Sequence, residues 1–169
     1  MKIAISGATG FVGSRLVAKL HAEGHRILVL TRNTTFAQKV FPPQAFPNLE
    51  IIAYTPIVSG AWQDTIAGCD GVVNLAGEPI AEGRWTPERK QEILNTRKLG
   101  TQKIVEAIAK SQPQPSVLVN TSAIGYYGTS ETASFDEDSA NGKDFLAQVC
   151  QEWEAEARKV KDTNVRLVI

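Results

Sequence analysis

A chain of 169 residues is long enough for one domain with a full core and short for a two-domain enzyme. Apolar residues make up 43% and charged ones 21%, and 18 Lys plus Arg balance 18 Asp plus Glu, so no overall field favours nucleic acid or an acidic membrane and any anion site must be local. Cys69 and Cys150 make no disulfide framework, no apolar run approaches a membrane span and no signal-type h-region opens the chain, which predicts a cytoplasmic protein with neither nucleic acid nor membrane as partner.

Taken in order, apolar runs alternate with helical patterns, as in a parallel sheet with crossover helices. Residues 2–6 read as a buried strand, and Gly7-Ala8-Thr9-Gly10-Phe11-Val12-Gly13 leads from it into an amphipathic helix over 11–23. In this Gly-x-x-Gly-x-x-Gly turn, Gly7 lets the chain reverse sharply, Gly10 leaves backbone N–H groups open to a diphosphate, and Gly13 lets the helix close onto the sheet. An anion there meets unpaired amides and the positive end of the helix dipole, so Thr9, Phe11 and Val12 join the three glycines as the predicted pyrophosphate-binding segment. Gly24 suits a C-cap, and a second strand follows at 26–31. Pro42, Pro43 and Pro47 then predict a loop in place of a full crossover helix, before a third strand at 49–54.

A short helix at 62–68, a strand at 71–75 and a long helix at 87–110, capped by Thr86-Pro87, come next. A strand at 116–121, a helix at 143–161 and a strand at 164–169 complete the series. Phe145, Val149, Cys150, Trp153, Ala157 and Val160 form one apolar stripe of the last helix, expected to face the core or a subunit interface. The expected fold class is α/β, a Rossmann-type doubly wound parallel sheet with helices on both faces, with 1–169 as one dinucleotide-binding domain. No element follows the sixth strand, which predicts a binding domain lacking the substrate-covering remainder of a longer enzyme.

The end of the second strand separates the two common dinucleotides. An acid about 20 residues past the glycine turn suits the ribose 2′-hydroxyl of NAD, and a cation suits the 2′-phosphate of NADP. Thr31-Arg32-Asn33-Thr34 contains no acid; Arg32 offers a planar fork of donors, with Asn33 or Thr34 adding hydrogen bonds, so NADP is expected over NAD. Asn74-Leu75-Ala76-Gly77 stands at the carboxyl end of the fourth strand, where the crevice of such a sheet opens. Its small residues let the chain pass close to adenosine and pyrophosphate, or simply make a tight strand exit. His21 and His25, away from the strand ends, are expected on the surface; no metal site is expected. Asp136-Glu137-Asp138 is expected to be a solvated turn.

Together with Asn120-Thr121-Ser122-Ala123 and Tyr126-Tyr127-Gly128, these segments resemble, in order, the extended or atypical short-chain dehydrogenase/reductase family, within the NAD-dependent epimerase/dehydratases. Leu75 to Trp85 and Asn95-Thr96-Arg97 resemble one subgroup of it. The resemblance spans the whole chain but only the N-terminal half to two-thirds of a typical member. It implies that Ser122 hydrogen-bonds the substrate oxygen that gains or loses a proton as hydride moves, and that a Tyr-x-x-x-Lys pair supplies the acid/base. Here the sequence departs. With Glu154 as the acid that usually follows that pair, its positions fall on Leu146 and Cys150, and a one-residue slip gives Phe145 and Val149.

Tyr126 or Tyr127, on the loop after Ser122, is the candidate substitute hydroxyl or else a packing residue, and Lys143 is a further candidate. Arg97 stands where the family places an asparagine near the active site; it is expected to hold a cofactor phosphate or anionic substrate, or to form an ion pair on a helix face. Glu78, Glu82, Arg84 and Trp85 are expected to border the cleft without an assigned role. Two functions fit: an NADP(H)-dependent oxidoreductase or epimerase acting on a small polar or nucleotide-linked carbonyl or alcohol, or a non-catalytic NADP(H)-binding redox sensor. As in related epimerases, helices 87–110 and 143–161 are expected to pair across a homodimer axis.

Overall fold

Alternation along the strands builds a sheet that is apolar on both sides. In the computed structural model, which describes all 169 residues, β1 (Lys2–Ser6) and β2 (Arg26–Thr31) send Ile3, Ile5, Ile27 and Val29 to one face. There they pack with Val17 of α1 (Phe11–Ala22) and Ala37 of α2 (Thr34–Val40). Ala4, Leu28 and Leu30 go to the opposite face with Val72 of β4 (Gly71–Asn74) and Leu118 of β5 (Val117–Asn120). They meet Ile104 and Ile108 of α3 (Pro87–Lys110), while α4 (Phe145–Arg158) packs beside α3. With β3 (Leu49–Ala53) and β6 (Arg166–Val168), the order is β3-β2-β1-β4-β5-β6, every pairing parallel.

That order reverses direction between β1 and β4, so the crevice beyond their carboxyl ends is the topological switch point. The register aligns Ser6 with Asn74 and Asn74 with Asn120, bringing three polar residues level at the crevice floor.

Four local expectations change. The segment after β2 forms α2, where a loop was expected: Asn33 caps it by accepting from the Phe36 amide at 2.9 Å, and all three prolines lie beyond Val40, so none interrupts it. The expected helix at 62–68 is a 3-10 turn over Ala61–Ile66. The last helix starts at Phe145 because Asp144 is its N-cap, accepting from the Ala147 amide at 2.9 Å, and a 3-10 turn, Lys159–Asp162, continues it. His21 is not a plain surface residue: its ring packs 4.9 Å from Phe46, with Nε2 buried. Of the apolar stripe on the last helix, Val149, Cys150, Trp153, Ala157 and Val160 are buried within the chain, so it belongs to the core.

Candidate functional site

The turn after β1 shows why two of its glycines are needed by the fold and the third is not. Gly7 has φ +69°, and a Cβ on it would lie 2.7 Å from the Leu75 carbonyl carbon. A Cβ on Gly13 would collide with the Gly7 carbonyl oxygen and come 2.7 Å from the Ala8 Cα. Gly10, the N-cap of α1, has ordinary extended backbone, and its Cβ would meet only the Gly7 carbonyl oxygen, at 3.3 Å. Beyond it the first amides of α1, at Phe11, Val12 and Gly13, have no intrahelical carbonyl to bond. Neither a capping side chain nor an acidic residue occupies the first turn. Phe11 is 91% exposed, so this positive helix end opens outward at the switch point.

From that helix end a cleft of about 400 Å³ runs over the carboxyl ends of β1, β2 and β4. Gly7, Thr9, Gly10, Arg32, Leu75, Ala76 and Gly77 all line it, so most of the expected cofactor-binding residues converge. Asn33, Phe36, Tyr54, Glu78 and Thr96 line it as well. Tyr54, buried just past β3, was missed by sequence reasoning although its place beside the end of β2 marks it; burial pushes its phenol up to about 12, against Ser6 and the Arg32 charge.

Asn74 stands below the cleft rather than in it. Its Oδ1 accepts from Ser6 Oγ at 2.6 Å, and its Nδ2 donates to Thr101 Oγ1 at 2.9 Å and to Asn120 Oδ1 at 2.7 Å. Ser6 Oγ in turn accepts from the Ala76 amide at 3.3 Å, and Thr121 Oγ1 donates to the Asn74 carbonyl at 3.0 Å. Asn74 thus ties β1, β4, β5 and α3 together and fixes the chain that carries Leu75 to Gly77.

Arg97 has a similar supporting position. Its Nη1 donates to the carbonyls of Glu78 at 2.9 Å and Ile93 at 3.3 Å, and its guanidinium lies 5.3 Å from the Trp153 ring centre. A Cβ on Gly77 would stand 2.8 Å from Arg97 Cζ. Desolvation, the largest influence, lowers the Arg97 pKa. It braces the loop after β4 from behind through two backbone carbonyls, and the ion pair on the helix face does not form. Glu82, Arg84 and Trp85 are exposed farther along that loop, with Trp85 donating to the Ile80 carbonyl at 2.8 Å.

Past β5, Ser122 Oγ donates to Glu154 Oε1 at 2.6 Å. Glu154 is only 8% exposed, and its other oxygen accepts from Arg158 Nη2 at 2.7 Å. Sequence reasoning used Glu154 only as a register mark; the contact spans 32 positions, which no local pattern reveals. Cys150, on the same face of α4, keeps a thiol raised chiefly by burial, and Leu146 packs beside Gly125. Tyr126 and Tyr127 lie on a 3-10 turn, Ile124–Tyr127, edge to face with each other, and Tyr127 stacks on Phe135 at 5.5 Å. Desolvation and then the carboxylates of Glu137, Glu154 and Asp136 raise the Tyr127 pKa. Lys143 is exposed ahead of α4.

The sequence model of the NAD-dependent epimerase/dehydratase family matches residues 3–167. The chain belongs to that family. It is 47% identical over 171 residues to the Arabidopsis thaliana epimerase family protein SDR39U1 homologue, chloroplastic, covering 99% of this chain and 48% of that one. It is 34% identical to the Bacillus subtilis epimerase family protein YfhF over 99% of this chain and 53% of that protein. Among solved structures, human epimerase family protein SDR39U1 with NADPH superposes with a TM-score of 0.79 at 32% identity, covering 99% of this chain and 52% of that one. The chain spans about half the length of the curated relatives it matches. Fold and family membership agree with what the glycine turn, the strand order and the later motifs imply.

Proposed function

We propose that this chain is the cofactor-binding part of an NADP(H)-dependent oxidoreductase or epimerase acting on a small polar or nucleotide-linked carbonyl or alcohol. The observation that carries the reading is the uncapped amino terminus of α1 opening at the switch point, with the 67%-exposed side chain of Arg32 at the end of β2. The human relative, whose structure was solved with NADPH, supports the same cofactor class. The residues present fit the group: the Phe11, Val12 and Gly13 amides suit a diphosphate, Leu75 to Gly77 flank the adenosine side, and Arg32 suits a 2′-phosphate.

A nicotinamide bound there supplies the hydride donor or acceptor. Ser122 orients the substrate oxygen: its Oγ accepts the hydroxyl hydrogen bond while its own proton points at Glu154 Oε1. As the substrate hydroxyl proton moves to Ser122 Oγ, the serine proton moves to Glu154, so no charge is left on the hydroxyl. Arg158 holds that carboxylate in place. This arrangement replaces the pair whose positions Leu146 and Cys150 fill.

The same two residues favour a second reading, a redox sensor that binds NADP(H) without turnover. Oxidation of NADPH against a panel of aldehydes, ketones and nucleotide-linked keto sugars separates the two. Turnover that falls at least about a hundredfold in Ser122→Ala supports the enzyme, given the usual weight of a positioned proton-transfer group. Saturable binding, stabilising by about 2.7 kcal/mol at a hundredfold excess over Kd, with no turnover, supports the sensor.

A further inference from the structure

The end of β2 carries no acid, but one approaches it from the loop after β4. Glu78, on the loop after β4, is held at three points. Its amide donates to Thr96 Oγ1 at 3.1 Å, its carbonyl accepts from Arg97, and Oε1 accepts from Arg89 Nη1 at 2.9 Å. Arg89 is itself tied to the Pro79 carbonyl at 2.6 Å and to Glu92 at 2.9 Å. The Glu78 side chain is 14% exposed, and its free oxygen, Oε2, stands 3.6 Å from Arg32 Nη2. Both residues line the same cleft.

The pair is asymmetric. Glu78 is fixed by its neighbours, while Arg32 reaches it at ion-pair distance without a hydrogen bond and from a largely solvated position. A group entering between them meets an immobile acceptor on one side and a movable five-donor fork on the other.

Resting on the cofactor reading above, we propose that Glu78 is the specificity-determining residue for the adenosine ribose, accepting a free 2′-hydroxyl, while Arg32 swings to take a 2′-phosphate. The chain then binds both NAD(H) and NADP(H), with a separate reader for each. In the NAD(H) state Arg32 stays paired with Glu78, and the hydroxyl proton is donated to Oε2. In the NADP(H) state Arg32 turns its donors to the phosphate, and Arg89 alone neutralises Glu78. The Glu78 carboxylate repels that phosphate, which keeps the preference for NADPH smaller than Arg32 alone would give.

Titration by protein fluorescence with NADH and NADPH, on the chain and on Glu78→Gln and Arg32→Ala, tests this. Glu78→Gln is expected to weaken NADH by about tenfold and to leave NADPH unchanged or tighter, as loss of one charge-assisted acceptor predicts. Arg32→Ala is expected to weaken NADPH by about tenfold or more and to move NADH by less than about twofold. A measurement on the unaltered chain guards against misfolded variants: ADP should bind about tenfold more tightly than 2′-deoxy-ADP. Equal binding of ADP and 2′-deoxy-ADP, or equal changes for both dinucleotides in Glu78→Gln, overturns the assignment of Glu78 while leaving the cofactor site intact. Absence of binding by ADP, NADH and NADPH alike removes the cofactor reading itself, and this inference with it.

Discussion

At the β1–β4 end of the crevice, the loops are locked by buried side-chain hydrogen bonds and by main chain that leaves no room for a Cβ. At the β5–α4 end, Ser122 meets one carboxylate, and the nearby tyrosines touch mainly aromatic rings. The first end is rigid before any ligand arrives, which lowers the entropy lost on binding. The second is tied by main chain between Tyr126 and Gly142 and by part-buried side-chain hydrogen bonds, Ser122 to Glu154 among them. Preorganisation is therefore concentrated where the invariant part of a dinucleotide would lie, and the variable chemistry is left to the other end.

Substitutions at the rigid end should separate fold from binding. Gly13→Ala should destabilise by about 3 kcal/mol: helix propensity favours alanine by about 1 kcal/mol, but collision with the Gly7 carbonyl and Ala8 outweighs it. Urea unfolding reads the loss, and unchanged stability would show that the turn tolerates a side chain there. Asn74→Ala should cost about 2 kcal/mol, because Ser6, Thr101 and Asn120 each lose a buried partner. Gly10→Val should lose less stability than Gly13→Ala, about 1 kcal/mol for the poorer N-cap and the approach to the Gly7 carbonyl, while weakening NADPH by about tenfold or more. Equal losses of stability and binding would make Gly10 a structural glycine like its neighbours.

The smallest effect belongs to the other end. Glu152 of α4 accepts from Lys98 of α3 at 2.6 Å, and that bond, followed by Gln148, holds its carboxyl below the ordinary value of 4.5. A carboxyl depressed in the folded state adds stability above its unfolded pKa and loses it as pH falls through the folded value. Unfolding measured from neutral pH down through the acid range should therefore show an acid limb that is shallower in Glu152→Gln. An identical limb would place the acid sensitivity elsewhere.

Much of the first end was legible in the chain because its causes are local. Gly7 to Gly13 follow a strand and open a helix, Arg32 sits at a strand end, and Ala76-Gly77 ends another strand. What stayed hidden depends on tertiary approach. Glu78, past β4, faces Arg32, past β2, with β1 between them, Arg97 braces a loop from behind, and Glu154 reaches Ser122 from a helix 32 residues on. The α2 helix is hidden for another reason: three prolines argue against helix in the connection, yet they lie past its end, and Asn33 supplies the cap.

Whether the open amides of α1 hold a diphosphate is decided by isothermal calorimetry with NADPH. Saturable heat at one site per chain is expected, weakened about tenfold or more by Gly10→Val in a chain that stays folded. A folded chain that gives no heat at any concentration of NADPH or NADH would contradict a diphosphate site at that helix end.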